Sequence, residues 1–248
     1  MYINTKGLVL RETPYKESSR ILTVLTSDLG KITVGARGAK RKGSKTASST
    51  QFLAFSDMTL SENRGRYTLT EAKSIELFQG LSDDIAALSL GAYFAELLET
   101  VSDEDMPSPE ILSLGLNGLF VLSEGKRDRR LVKAAFEMRL LCLAGFAPLV
   151  EGCGVCGRED IVRPVLDVDS GMAACTSCES GGRRYPLCPG SLDALRHITA
   201  CDRKRLFSFT LNEDSLNRLE RACENYALAQ LDRGFSTLDY YKRLKIYD

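Results

Sequence analysis

At 248 residues, with 44% hydrophobic and 27% charged side chains, the chain has enough apolar material for a sizeable core, yet no apolar run approaches the ~20 residues that span a bilayer. Wholesale disorder and a membrane-spanning role are excluded, and the length suggests two domains. The 33 basic and 33 acidic residues cancel overall but not locally: residues 1–80 carry 13 Lys and Arg against 7 Asp and Glu, residues 81–149 carry 6 against 11, and the remainder 14 against 15.

From Tyr2 to Phe78 the pattern is strand-like. Leu8–Leu10, Ile21–Leu25, Ile32–Val34, Met58–Leu60 and Tyr67–Leu69, with Ile75 beyond, alternate with turn signals at Asp28-Leu29-Gly30, Arg37-Gly38 and Asn63-Arg64-Gly65. Five short strands predict a small barrel; a five-stranded OB-fold fits, as would an SH3-like barrel or a split sandwich. Lys31, Arg37, Lys40, Arg41, Lys42 and Lys45 form a basic run without an acidic residue, and Gly35, Gly38, Gly43 and Ser44 predict that its later part is a mobile loop able to follow a phosphate backbone. Candidates for stacking on bases are Tyr15, Phe52, Phe55 and Tyr67, with Phe52 and Phe55 assigned to the core.

After Gly80 the hydrophobic period becomes helical. Ser82 is the expected N-cap of a buried helix running to Val101, with Asp83 and Asp84 in its first turn. A second helix is expected from Pro107 or Pro109 to Ser123, and a third from Asp128 to Phe146. The third sets Arg129, Arg130, Lys133 and Arg139 beside an apolar stripe of Leu131, Ala135, Met138 and Cys142; Arg129, Arg130 and Lys133 are candidates for a second phosphate contact, against the plainer reading of solvated helix surface. Further helices are expected near 190–200, 212–233 and 236–245, the second opened by Asn212 or Asp214 and closed by Gly234.

Between the third and fourth helices stand Cys153-Gly-Val-Cys156 and Cys175-Thr-Ser-Cys178, separated by 18 residues. Paired CxxC knuckles at this spacing aim four thiolates at one point and predict a tetrahedral zinc site; with all four positions filled, the metal is structural rather than catalytic. Gly154, Gly157, Gly171, Gly181 and Gly182 are expected to supply turns of positive φ. The competing reading is two disulfides. Residues 1–20 hold no apolar signal region, so a cytoplasmic home with reduced thiols is expected. Cys188 could compete as a ligand, whereas Cys142, Cys201 and Cys223 fall in helical patterns as structural thiols.

No phosphate-loop, zinc-protease or serine-hydrolase motif occurs, and the single histidine, His197, is expected to be structural. The enzymatic alternative is a zinc-stabilised nuclease or hydrolase using Asp103, Glu104 and Asp105; a protein scaffold that does not touch DNA is a third reading.

The stretch Phe136-Glu-Met-Arg-Leu-Leu-Cys-Leu-Ala-Gly-Phe-Ala-Pro148, running into Cys153-Gly-Val-Cys156-Gly157, resembles the bacterial recombination mediator family RecO. The run Tyr15-Lys-Glu-Ser-Ser-Arg-Ile-Leu-Thr-Val-Leu-Thr-Ser-Asp-Leu-Gly-Lys-Ile-Thr-Val-Gly-Ala-Arg-Gly38 is similar to the same family. The resemblance implies an α+β multidomain architecture: an OB-fold barrel at residues 1–79, then an α-helical bundle at 80–248 interrupted by a four-cysteine zinc finger at 150–186. It further implies a non-enzymatic protein that binds single- and double-stranded DNA, anneals complementary strands, and works with RecR to load recombinase onto DNA coated by single-strand DNA-binding protein. Carried over, its DNA surface comprises Arg20, Lys31, Arg37, Lys40, Arg41, Lys42 and Lys45. A cytoplasmic, nucleoid-associated location follows from the same likeness, and zinc acts through folding, since some members lack the cysteines.

Overall fold

The computed structural model describes residues 1–179 and 181–244, so residue 245 of the last expected helix lies outside the described residues. Five strands form a closed barrel: β1 (Tyr2–Tyr15), β2 (Ser19–Thr26), β3 (Lys31–Ala36), β4 (Phe55–Asn63) and β5 (Arg66–Glu76). Their order around the barrel is β1-β2-β3-β5-β4, closed by β1 against β4, with β3 and β5 parallel and the other pairs antiparallel. This five-stranded Greek-key closure is the OB-fold. The inward positions alternate as β-strands require: Leu22 and Val24 on β2, Ile32, Val34 and Ala36 on β3, and Met58 and Leu60 on β4 pack into one core with Val9 and Ala39. Burial of each large aliphatic side chain contributes roughly 1.5–3 kcal/mol.

β1 closes the barrel because it serves two neighbours. Tyr2–Leu8 pairs with β4 and Gly7–Tyr15 with β2, with a register shift between Val9 and Arg11 that bends the strand. At the overlap, Gly7 lies so close to β2 that a Cβ there would stand 2.4 Å from Val24 Cγ1.

The chain separates into two compact units, residues 1–124 with 235–248 and residues 125–234. The first unit adds to the barrel α1 (Ile85–Val101), α2 (Pro109–Glu124) and α6 (Ser236–Leu244). The N-cap of α1 is Asp84, not Ser82: Ser82 is absorbed into a 3-10 turn over Gln79–Leu81, while Asp84 is extended and its carboxylate accepts from the Ala86 and Ala87 N–H groups at 3.0 Å. α6 is tied to α1 through Glu96, whose carboxylate accepts from the Thr237 N–H and hydroxyl.

The second unit holds α3 (Arg129–Leu143), α4 (Pro189–Ala200), α5 (Glu213–Gln230) and a sheet of β6 (Pro164–Asp167), β7 (Met172–Cys175) and β8 (Arg184–Pro186), in the order β7-β6-β8. The sequence pattern shows only turns there; strands of three or four residues are too short to display an alternation. α3 stops at Leu143, short of Phe146, because Gly145 turns the chain at φ 91 and the Phe146 N–H bonds back to the Leu141 carbonyl.

α3 also departs from a solvated face. Lys133 has no exposed surface; its ammonium lies 2.9 Å from both the Glu137 and Glu224 carboxylates. Burial by itself would depress its pKa, but the two carboxylates outweigh that and hold it raised, so the group stays charged. Lys133→Ala should leave buried carboxylates uncompensated and cost about 3–5 kcal/mol, readable as a fall in the urea midpoint.

Candidate nucleic-acid interface and metal centre

Three connections converge at one end of the barrel. The β1–β2 turn, the chain following β3, and the β4–β5 hairpin enclose a groove of about 900 Å³, whose cations are Lys16, Arg20, Arg37, Arg41 and Arg66, with Glu17 the sole acidic lining residue. Gly35 and Thr68 belong to its lining, and Tyr15 and Tyr67 bring aromatic rings to it. Arg37, Arg41 and Arg66 are exposed and present their guanidinium groups to solvent.

The loop after β3 is folded into successive turns. Ala39 is wholly buried in the barrel core, the Lys40 N–H donates to the Ser18 carbonyl at 3.0 Å, and successive tight turns follow through Arg41 N–H to Gly38 and Ser44 N–H to Arg41. Gly38, at φ 66, permits the first of these turns. Lys40, Lys42 and Lys45 remain exposed on this loop but do not line the groove.

Two cations of the expected surface are engaged within the protein. Arg20 is largely covered, its side chain 16% exposed, and its guanidinium binds the Glu12 carboxylate at 2.7 Å and the Thr50 carbonyl at 3.1 Å, tying the barrel wall together. Lys31 starts β3 and donates to the Glu99 carbonyl in the last turn of α1 at 2.8 Å, where a helix C-terminus favours positive charge. On α3, Arg130 is clamped by Asp128 at 2.7 Å and Glu213 at 3.0 Å, hydrogen bonds that hold it firmly protonated; Arg129 is half-buried, and Lys133 is buried. Conversely, the sequence reading passed over Lys16 and Arg66. Each is separated from the 31–45 run along the chain, and the signal that could have found them is their position in or directly after turns that a five-stranded barrel brings to the same end.

The four cysteines meet. The Sγ atoms of Cys153, Cys156, Cys175 and Cys178 all lie within 4.8 Å of one another, and among the described residues this is the group of His, Cys, Asp or Glu that could hold a metal. Cys156 and Cys175 are 3.9 Å apart, far beyond a disulfide bond of about 2.05 Å. It is close to the ~3.8 Å edge of a tetrahedron with metal–sulfur bonds of about 2.3 Å. Cys153 and Cys175 are buried, and Cys175 ends β7, which delivers its thiol to the centre. Of the five glycines expected at positive φ, Gly157 and Gly171 adopt it. Gly154 and Gly182 matter for room instead: a Cβ would meet Met172 Sδ at 2.3 Å and Asp167 Oδ1 at 2.2 Å respectively.

Without a cation the four thiols are electrostatically unequal. Burial pushes the Cys153 thiol up, but N–H donors from Cys156, Cys175 and Val155 outweigh it and bring the group down to about 6. Hydrogen bonding to Cys156, burial and the neighbouring Cys153 push Cys178 up to about 12; burial and the same two neighbours raise Cys175. A bound cation relieves that mutual repulsion by displacing the thiol protons.

Cys188 is not part of this centre. It caps α4, with Sγ 3.2 Å from Ser215 Oγ and 3.4 Å from Ser191 Oγ. His197 is structural: Nε2 lies 3.0 Å from the Arg205 carbonyl and the ring meets Phe209 edge-on. Asp103 and Asp105 join the start of β3 through backbone hydrogen bonds to Lys31, and Glu104 bridges Gly30 and Lys31. The three carboxylates form no metal-holding group among the described residues.

The family model for the N-terminal part of recombination protein O matches residues 1–78, and that for its C-terminal part matches residues 82–239. The chain belongs to the RecO family. Curated members include the DNA repair protein RecO of Acetivibrio thermocellus, 30% identical over 98% of this chain and 97% of that protein. Those of Caldicellulosiruptor bescii (30% identical, 97% and 98% covered) and Bacillus pumilus (29% identical, 91% and 88% covered) bear the same name. The RecO N-terminal match ends with the barrel, and the RecO C-terminal match encloses all four clustered cysteines. No helix among the described residues is long and apolar enough to cross a membrane.

Elemental analysis of the purified chain should find one metal ion per molecule; Cys175→Ala should abolish it and Cys188→Ala should leave it in place. Acidification should also expel the ion, since protons compete with the metal for the same four thiolates.

Proposed function

We propose that this chain is a non-enzymatic recombination mediator. It binds single- and double-stranded DNA through the barrel, anneals complementary strands, and assists recombinase loading onto DNA coated by single-strand DNA-binding protein, with RecR as a protein partner. The observation that carries this reading is the cationic groove at one end of an OB-type barrel in a chain of the RecO family. We assign the nucleic-acid module to residues 1–79 and protein contacts to the helical part, residues 80–248, with the finger at 150–186; the working location is the cytoplasm, at the nucleoid.

Within the groove, Arg37 and Arg41 are assigned to phosphates, joined by Lys16 and Arg66, while Lys40, Lys42 and Lys45 extend the same positive field beyond its rim. Arg20 and Lys31 act as struts that hold the wall and the base of β3. Lysine and arginine on short turns neutralise phosphates without presenting a rigid donor array to base edges, so affinity is nearly independent of sequence. Annealing needs no nucleotide hydrolysis: pairing is downhill, and the protein need only bring two strands together while screening their charge.

The metal is zinc, held by Cys153, Cys156, Cys175 and Cys178. Four soft thiolates suit zinc and leave no coordination position for water, so its contribution is to folding, on the order of 10–16 kcal/mol of apparent binding energy in isolated zinc peptides.

Replacing Lys40, Arg41 and Lys42 together by Ala should weaken binding to all oligonucleotide sequences alike. It should flatten the slope of log affinity against log salt by about 0.7 for the Arg41 contact alone, and by about 2 if all three residues touch phosphate, at ~0.7 per contact on single strands. A salt titration of wild type and triple variant reads this directly; an unchanged slope would remove the loop from the interface.

A further inference from the structure

We infer that the barrel groove is built for unpaired strand: bases stack on Tyr15 and Tyr67 while Arg37, Arg41 and Arg66 hold the backbone, so that a strand loses part of its grip when it pairs. This rests on the groove being the nucleic-acid surface, and it adds what part of the nucleic acid the groove reads.

The two tyrosines are placed differently, and both placements favour a flat apolar ligand. Tyr15, the last residue of β1, is 49% exposed at the rim, and Lys16 Nζ stands over its ring at 5.4 Å from the centroid. A large ring held half in water beside cations gains little from the barrel core, yet it offers a π-face of the kind that nucleobases and cations both occupy. Tyr67 is fixed from beneath: it packs partly against the barrel core, and the parallel pairing of β3 with β5 sets it opposite Val34. Beside Tyr67 the groove lining is open. Gly35 has no side chain, and a Cβ there would find only the Tyr67 carbonyl, at 3.8 Å. The volume of about 900 Å³ gives room for a short run of nucleobases with their phosphates. Phe52 and Phe55, the other aromatic candidates of the barrel, are half-buried and do not line the groove.

A duplex can offer this groove phosphates but not base faces, since its bases are already stacked and paired. An unpaired strand offers both, at about tenfold in affinity per stacked base. The groove therefore holds strands before annealing more tightly than the duplex they form, and the product leaves without any nucleotide being hydrolysed.

The test compares two probes of about 12 nucleotides, within the span of one OB barrel: oligodeoxythymidylate, and an abasic strand with the same phosphates but no bases. Binding is read by anisotropy, with tyrosine emission as a second signal, unobscured because the chain has no tryptophan. Wild type should bind the thymidylate strand about tenfold or more tightly than the abasic one. Tyr15→Leu, an exposed substitution that spares the fold, should remove most of that difference and leave abasic binding unchanged, while Tyr15→Phe should retain it. Tyr67→Leu, which keeps an apolar side chain against the core, provides the second arm. Arg37→Ala with Arg41→Ala should weaken both probes alike. Equal wild-type affinity for the two probes overturns the stacking proposal, as does a base-dependent difference that survives both tyrosine variants. If the double arginine variant binds both probes as wild type does, the groove reading itself fails.

Discussion

The structure depends first on the double pairing of β1. A single 14-residue strand bonds to β4 through its first half and to β2 through its second, and the bend at Val9–Arg11 lets the sheet close on itself instead of ending in two exposed edges. Gly7 is a condition of that closure, because the strands approach too closely at the overlap for any side chain. Once the barrel is closed, the groove follows. The β1–β2 turn, the loop after β3 and the β4–β5 hairpin have no other place than the same end, and their cations and tyrosines meet although they are distant in sequence.

Closure also sorts the cations by task. Arg20 sits on β2 inside the wall, where its charge is matched by Glu12 and its second donor by the Thr50 carbonyl; Lys31 faces a helix C-terminus; Arg37 and Arg41 project from tight turns beyond the last strand residue of β3. The first two contribute to the barrel's rigidity, and the latter can pay the smaller desolvation cost of meeting a phosphate. In the second unit, Arg130 and Lys133 show the same division at its extreme, one clamped at the surface by two carboxylates and the other removed from water altogether.

The cysteine centre solves a different problem. The strands around it are only three and four residues long, and a metal held by the four clustered thiols would add cohesion to them. One thiol, Cys153, is ringed by backbone donors, while Cys175 and Cys178 are raised by burial and by their thiol neighbours, so that folding brings together groups whose joint ionisation a cation would favour. The barrel needs no such aid, since its strands are longer and its core is continuous.

Much of this is local in origin and therefore legible in the chain. The alternation of Leu22 and Val24 or Ile32 and Val34 reports a strand because a pleat repeats every two residues; Asp128 and Asn212 mark helix starts because their side chains bond the first free N–H groups; and the two CxxC pairs report a four-cysteine cluster because each pair converges within one turn. What the chain could not reveal is non-local. Arg20, Lys31 and Lys133 are engaged by Thr50, Glu99 and Glu224, which lie 30, 68 and 91 residues away along the chain, and Lys16 and Arg66 join the groove only because the barrel brings their segments together. A linear run of charge records sign and density, whereas solvation and partnership are set by closure and packing, and those exist only in the folded molecule.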